Sequence, residues 1–233
     1  MLKTGFYNMD CMEGMKEYPN KYFDLAIVDP PYGIGVQGMQ FTKVGAKHAS
    51  KNCAAASGDY KRDSEWDIKP SAEYFKQLMR VSKKQIIWGG NYFADILPPS
   101  RSFIVWDKRC NDAMRNDFAD CEYAWANEEI GVARVFRWLW CGMLQGDMKN
   151  KEERFHPTQK PVALYKWILS NYANAGDLIL DTHVGSASSL IACEDMGFKY
   201  VGFEIDKEYF QKASARLEEF KAQTHMDFYR LLP

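Results

Sequence analysis

The residues with the most evident chemistry lie in "LAIVDPPYGIG", residues 25 to 35. Leu25 to Val28 form a short apolar run that reads as a buried parallel strand. The run ends in Asp29, then Pro30 and Pro31, then Tyr32. Each proline locks φ and lacks a backbone N–H, so the pair stops the strand and stiffens the segment beyond it. The sequence therefore sets a carboxylate and an aromatic ring on a rigid ledge beyond a strand's carboxyl end, where open α/β sheets bind their ligands. A ligand suited to that ledge has hydrogen-bond donors for the acid and a flat face for the ring.

A second constellation lies in "LILDTHVGSASSLIACEDMGFKYVGFEID". It reads as a strand, a small-residue turn, a helix, a stop at Gly197, and a second strand ending in Glu204 and Asp206. Gly185, Ser186 and Ala187 let a ligand approach the backbone at a helix N-terminus. An acid ~20 residues further on can take both hydroxyls of a ribose. An ordinary βαβ unit whose glycine only permits a turn has the same outline, and the acidic strand tip favours the nucleoside site. A hydride-transfer dinucleotide domain uses these parts too, but it opens with this unit and builds further βαβ units after it. Here only about thirty residues follow Glu204, barely one helix and a tail.

The elements that must position these residues alternate between strand and helix, which argues for a mostly parallel α/β sheet. Strands are expected at 5–10, 23–29, 84–90, 102–108, 177–184 and 199–206. "SAEYFKQLMRVS" places Tyr74, Phe75, Leu78 and Met79 on one helical face. "KPVALYKWILSNYA" does the same with Val162, Tyr165, Ile168, Leu169 and Tyr172, and Pro161 suits a first helical turn. "DKEYFQKASARLEEF" is a third amphipathic helix. Residues 33–65 show no clear periodicity and read as a long mobile loop with a basic bias. Residues 109–155 read as an excursion from the core sheet that holds a strand pair around "CEYAWA" and "GVARVFRW".

The chain of 233 residues, 46% hydrophobic and 26% charged, suits one soluble domain, 1–233. Its formal charge of −1 gives no global attraction to a polyanion, so such a partner would be met by local basic patches. Six cysteines without CxxC spacing suggest neither a zinc site nor a disulfide framework, and they fit a reducing cytoplasm. No histidine spacing suggests a metal. No signal-peptide core or membrane span is apparent, so no membrane partner is expected.

"DPPY", followed much later by "HPTQKP" (156–161), "LDTHVGSAS" and "GFEID", resembles the S-adenosylmethionine-dependent DNA amino-methyltransferases. The motif order is that of their beta group, in which the catalytic half precedes the cofactor half. The resemblance runs from about residue 6 to about 217, with 33–65 and 109–155 the least covered. It implies a Rossmann-like methyltransferase fold, mostly parallel with an antiparallel edge and a circularly permuted motif order. An exocyclic amine such as adenine N6 is a poor nucleophile because its lone pair is delocalised into the ring. In the implied catalytic site, Asp29 and the Pro30 carbonyl each accept one N–H of that amine. Pro31 helps keep them in register, and Tyr32 offers a π-face to a base flipped out of the duplex. The implied cofactor residues are Asp10, Asp29, His156, Thr158, Lys160, Asp181, Thr182, His183, Gly185, Ser186, Glu204 and Ile205. Among them His156, Thr158 and Lys160 would hold the methionine end, with Lys160 pairing its carboxylate. Asp10 serves equally well as the cap of a following helix.

The family's turn is closer to "DPFxGSGT". This chain carries Thr182, His183 and Ala187 at the proline, phenylalanine and second-glycine places, which leaves the contacts there open. Substrate-binding candidates are Tyr32, Lys43, Lys47, Lys51 and Asn91, the lysines as phosphate contacts. Asn91 reads more readily as a loop amide satisfying backbone groups. Residues 109–155 would be a short target-recognition insertion, pointing to a brief site, loose specificity, or a homodimer that completes the grip on DNA. The expected activity is adenine-N6 methylation of DNA. Cytosine-N4 methylation uses the same amine chemistry, and a serine in place of Asp29 would lean that way. An RNA substrate is a weaker alternative, and an inactive nucleic-acid-binding module of the same fold is the competing class.

Overall fold

Along β2 (Phe23–Val28), Leu25 and Ile27 point to one side of the sheet and Ala26 and Val28 to the other, and all four are buried. A strand covered on both faces has no polar side, which is why this run is continuously apolar. In the computed structural model, which describes residues 1–34, 67–109, 119–141, 144–156 and 158–230, the two faces have separate cores. α1 (Cys11–Lys16) and α2 (Ala72–Val81) cover one face through Met15, Tyr74, Phe75, Leu78 and Val81. α3 (Val162–Tyr172), α4 (Ser188–Met196) and α5 (Lys207–Arg230) cover the other through Leu164, Ile168, Leu190 and Leu217. Of the face expected on α2, Met79 packs only at the margin, and Val81 takes the fully buried place.

The remaining strands are β1 (Gly5–Asn8), β3 (Ser82–Trp88), β4 (Phe103–Asp107), β5 (Cys121–Ala126), β6 (Arg134–Arg137), β9 (Leu178–Asp181) and β10 (Lys199–Glu204), with a hairpin of β7 (Trp140–Cys141) and β8 (Leu144–Gln145). The large sheet runs β1-β10-β9-β2-β3-β5-β4-β6. From β1 to β3 every pairing is parallel. The chain leaves β2 toward β3 on one side, and it leaves β9 toward β10 on the other. The boundary between β2 and β9 is therefore the switch point, and ligands of such sheets sit beyond the carboxyl ends of the strands there.

One expectation is corrected. The strands around "CEYAWA" and "GVARVFRW" are neither an excursion nor a pair. β5 runs antiparallel between β3 and β4, and β6 lies parallel to β4 at the sheet's edge. The physical reason is burial: Ala124, Trp125, Ala126 and Phe136 find their apolar environment in the main sheet. Among the described residues only the β7–β8 hairpin pairs outside that sheet. Among the described residues no helix is long and apolar enough to cross a membrane.

Candidate functional site

The ledge after β2 forms as its residue types require. Pro30 is buried, Asp29 keeps 13% of its side chain exposed, and Tyr32 folds back so that its hydroxyl donates to Asp29 Oδ1 at 2.6 Å. Lys160 Nζ donates to Asp29 Oδ2 and also pairs with Glu122 Oε2 at 3.1 Å. Glu122 in turn holds Lys108 at 2.9 Å. Four charges of alternating sign thus form a row: Lys108, Glu122, Lys160, Asp29. The Lys160 side chain is only 2% exposed, and such a buried charge persists only when paired. Burial works against its ammonium, but Asp29 and Glu122 outweigh that and hold its pKa above the ordinary value. Glu122, despite burial, is pulled down to about 2 by Lys160 and Lys108. Burial pushes Asp29 up, with Lys160 opposing and Glu122 adding to the rise.

Tyr32 stacks on Tyr92, with ring centroids 4.9 Å apart and planes 19° from parallel. Tyr92 belongs to the 3-10 turn Gly90–Phe93, which also carries the exposed Asn91. Gly89 precedes that turn in a left-handed conformation, φ 71°, and a Cβ there would overlap the Tyr32 ring. The resemblance gave Tyr32 a π-face for the base, and here Tyr92 covers one side of that ring.

The second half of the site lies one to two strands away. Asp181 ends β9 and accepts from the Ser189 hydroxyl and from the His183 N–H at 3.0 Å. Burial still lifts its carboxyl to about 7. Glu204 ends β10 and accepts N–H bonds from Gly185 at 2.9 Å and Asp206 at 2.9 Å. Gly185 is left-handed, φ 55°. The turn is pinned from behind by Arg216 of α5, which donates to the Ser186 carbonyl at 2.7 Å and to Ser188 Oγ at 3.0 Å. Ser186 Oγ lies 3.1 Å from Ser188 Oγ. Ile205, beside Glu204, is 67% exposed. Asp10 caps α1 by accepting the Met12 N–H at 2.8 Å, and β1 pairs Asn8 with Glu204, so the two strand tips are neighbours.

The altered turn is satisfied locally. Thr182 Oγ1 lies 2.6 Å from the Tyr74 hydroxyl and 3.0 Å from His183 Nδ1, and the His183 ring meets Tyr74 edge-on. Desolvation lowers His183 to about 4, so its ring is neutral near pH 7 and serves as an aromatic edge. Ala187 takes the second-glycine place with a left-handed backbone, φ 64°. Thr158 Oγ1 lies 3.2 Å from His156 Nδ1, and the His156 ring packs edge-on against Tyr209. Burial and the nearby Lys160 push His156 to about 4.

The structure thus brings Asp29, Pro30, Pro31 and Tyr32 to one side of the switch point and Asp181 to Ser186 with Glu204 and Ile205 to the other. It gives Lys160 carboxylate partners inside the protein, where the resemblance gave it one on the cofactor. Lys43, Lys47 and Lys51 lie outside the described residues. Sequence reasoning missed Glu122, Lys108 and Tyr92, and gave Tyr74 only a place on a helical face. The one available signal was Glu122, an acid in the otherwise apolar strand "CEYAWA". Among the described residues no group of three or more His, Cys, Asp or Glu could hold a metal ion.

The family model of the N6/N4 methyltransferases, described as DNA methylase, matches residues 130–215, a stretch that contains the turn and Glu204 but not the ledge. The Type II methyltransferase M.HpaI of Haemophilus parainfluenzae is 39% identical over 79 residues, 34% of this chain and 25% of that protein. The Type II methyltransferase M.HinfI of Haemophilus influenzae is 25% identical over 91% of this chain and 67% of its own length. The crystal structure of the M1.HpyAVI–SAM complex shares the fold, with a TM-score of 0.55 at 22% identity, covering 91% of this chain and 98% of that one.

Proposed function

For a chain related to the S-adenosylmethionine-dependent DNA amino-methyltransferases, we propose methyl transfer to the N6 amine of a flipped adenine in DNA. The observation that carries the proposal is adjacency: Asp29 follows β2 and Asp181 ends β9, and these strands pair directly across the switch point. An amine acceptor and a nucleoside cradle, remote in sequence, stand at the carboxyl ends of neighbouring strands.

The residues present fit the cofactor. Glu204 carries two backbone donors, and a carboxylate has about four acceptor sites, so it retains capacity for ribose hydroxyls. Gly185 keeps the turn free of a side chain, and the exposed Ile205 offers an apolar surface to an adenine ring. Asp10 lies at the neighbouring strand tip, and Thr158 and His156 flank the turn's other side, where Gly185 faces the His156 ring. When bound, S-adenosylmethionine supplies an electrophilic methyl group.

The chain's own work is then positioning, which is worth up to ~7–11 kcal/mol in well-oriented cases. Asp29 and the Pro30 carbonyl each accept one amine N–H and so fix the direction of its lone pair. By the same count of acceptor sites, Asp29 does this while keeping Tyr32 and Lys160. Its raised pKa suits it to take the proton that the amine sheds once methylated. Tyr32 supports the base, and the exposed Tyr92 yields to admit it. Asn91 stands at the mouth, Lys43, Lys47 and Lys51 meet phosphates, and residues 109–155 contribute target recognition within one methyltransferase domain.

The test is to incubate the protein with S-adenosylmethionine and unmethylated bacterial chromosomal DNA, digest the DNA, and analyse its nucleosides by mass spectrometry. N6-methyladenine is expected. N4-methylcytosine would replace the adenine reading, and DNA binding with neither product would leave a binding module.

A further inference from the structure

β5 runs against its neighbours, so its first residues lie at the carboxyl ends of the parallel strands. The register pairs Trp88, the last residue of β3, with Ala124, and Glu122 stands two residues closer to the crevice. β4 pairs Trp106 with Glu122 and delivers Lys108 just past its own end. The antiparallel insertion therefore brings an acid to the same mouth as Asp29.

Among the described residues no hydrogen bond joins Glu122 to Asp29 directly. Glu122 reaches Asp29 through Lys160, whose ammonium the two carboxylates share. We propose that Glu122 is a positioning residue for the methylation reaction: Lys160 keeps Asp29 anionic and fixed, and Glu122 holds the ammonium between two acids so that Asp29 remains a strong acceptor for the amine. This rests on the methylation reading above. Were Asp29 to own the ammonium alone, its lone pairs would be more fully drawn to Lys160 and weaker toward a neutral N–H. Were Lys160 absent, Asp29 and Glu122 would repel across a buried space, and Asp29 would tend to protonate. Lys108 keeps the row electrically balanced.

Among the described residues, the other ionisable groups facing Asp29 are Tyr32 on its own ledge, Tyr74 on α2, Tyr165 on α3 and Asp181 on β9. The three phenols stay neutral because burial raises each well above the ordinary tyrosine value. Asp181 is common to every variant below, so it cannot produce opposite shifts between them.

The test tracks the Asp29 carboxyl by NMR in the protein labelled with carboxyl-13C aspartate, in parallel with steady-state kinetics on unmethylated chromosomal DNA. Glu122→Gln should lower the Asp29 midpoint and reduce kcat about 10-fold or more, with KM for S-adenosylmethionine within about threefold. Lys160→Met should move the midpoint the other way. Glu122→Asp, which keeps the charge on a shorter arm, should recover most of the midpoint and part of kcat, and it serves as the working variant if the amide fails to fold. Midpoints that do not move, or wild-type kcat in Glu122→Gln, would overturn the proposal. A wild-type protein that transfers no methyl group to DNA would overturn the methylation reading and this role with it, and the NMR midpoints would report the charge row independently.

Discussion

At the residue scale, the Tyr32 hydroxyl matters as well as its ring. Were the π-face its only contribution, Tyr32→Phe would be nearly silent. Here the hydroxyl donates to Asp29 at 2.6 Å, and a hydrogen bond to a charged group is worth about 1.5–3 kcal/mol. Part of that is recovered when water or the amine takes the freed lone pair. Tyr32→Phe should thus lower kcat roughly 10-fold, and Tyr32→Ala further, with raised KM for DNA. Equal kcat for Phe and wild type would show that the hydroxyl bond is idle. Glu204 is the corresponding test of the nucleoside cradle. Its loss should weaken S-adenosylmethionine binding roughly 30- to 150-fold, equivalent to about 2–3 kcal/mol. The ribose does not change during the reaction, so saturating cofactor should largely restore turnover. Calorimetry giving unchanged affinity for Glu204→Ala would return this acid to a purely structural role, bracing Gly185 and Asp206.

At the element scale, the junction from β3 into the 3-10 turn sets how Tyr32 lies. Gly89 is left-handed at φ 71°, and a methyl group there would enter the Tyr32 ring. Gly89→Ala combines a left-handed backbone cost of about 1–2 kcal/mol with overpacking that typically adds about 1–3 kcal/mol. The expected outcome is a lower melting temperature and slowed turnover, because the ring must leave Asp29 to make room. Wild-type melting and turnover together would mean that the turn is softer than its geometry implies. Gly185, left-handed as well, has the His156 ring 3.5 Å from its missing Cβ, so crowding there is milder.

At the scale of the whole molecule, burial of titratable groups couples the site to global stability. His183 falls to about 4 when folded, against an ordinary histidine value of 6.5. Above pH 6.5 both states are neutral and the residue contributes no pH dependence. Between about pH 6.5 and 4 the unfolded chain takes up a proton that the folded chain refuses. Stability is therefore lost as pH falls, by up to about 1.4 kcal/mol per pH unit. His183→Phe, the residue that the family pattern carries there, should flatten the acid side of the stability curve by up to one proton's slope. His156, shifted the same way, remains. Urea titrations at pH 7, 6 and 5 read this directly, and parallel curves for the two proteins would contradict it.

The sequence by itself determined the alternation of strands and helices, the ledge after β2, the small-residue turn and the acid at the tip of β10. Each depends on local rules: apolar period, proline stiffness, and glycine or small residues where the backbone turns tightly. The resemblance added the order of the two halves and hence their chemistry as a pair. What only the tertiary structure decided was which remote groups meet. Asp29 and Lys160 are 131 positions apart in sequence, and Glu122 reaches them because β5 inserts between β3 and β4. Strand order and register are collective outcomes of burying both faces of a sheet, and a one-residue slip would turn Glu122 to the opposite face. No local pattern in "CEYAWA" specifies its neighbours. The charges of the row could be read from the sequence one by one, but their alternation came only with the fold.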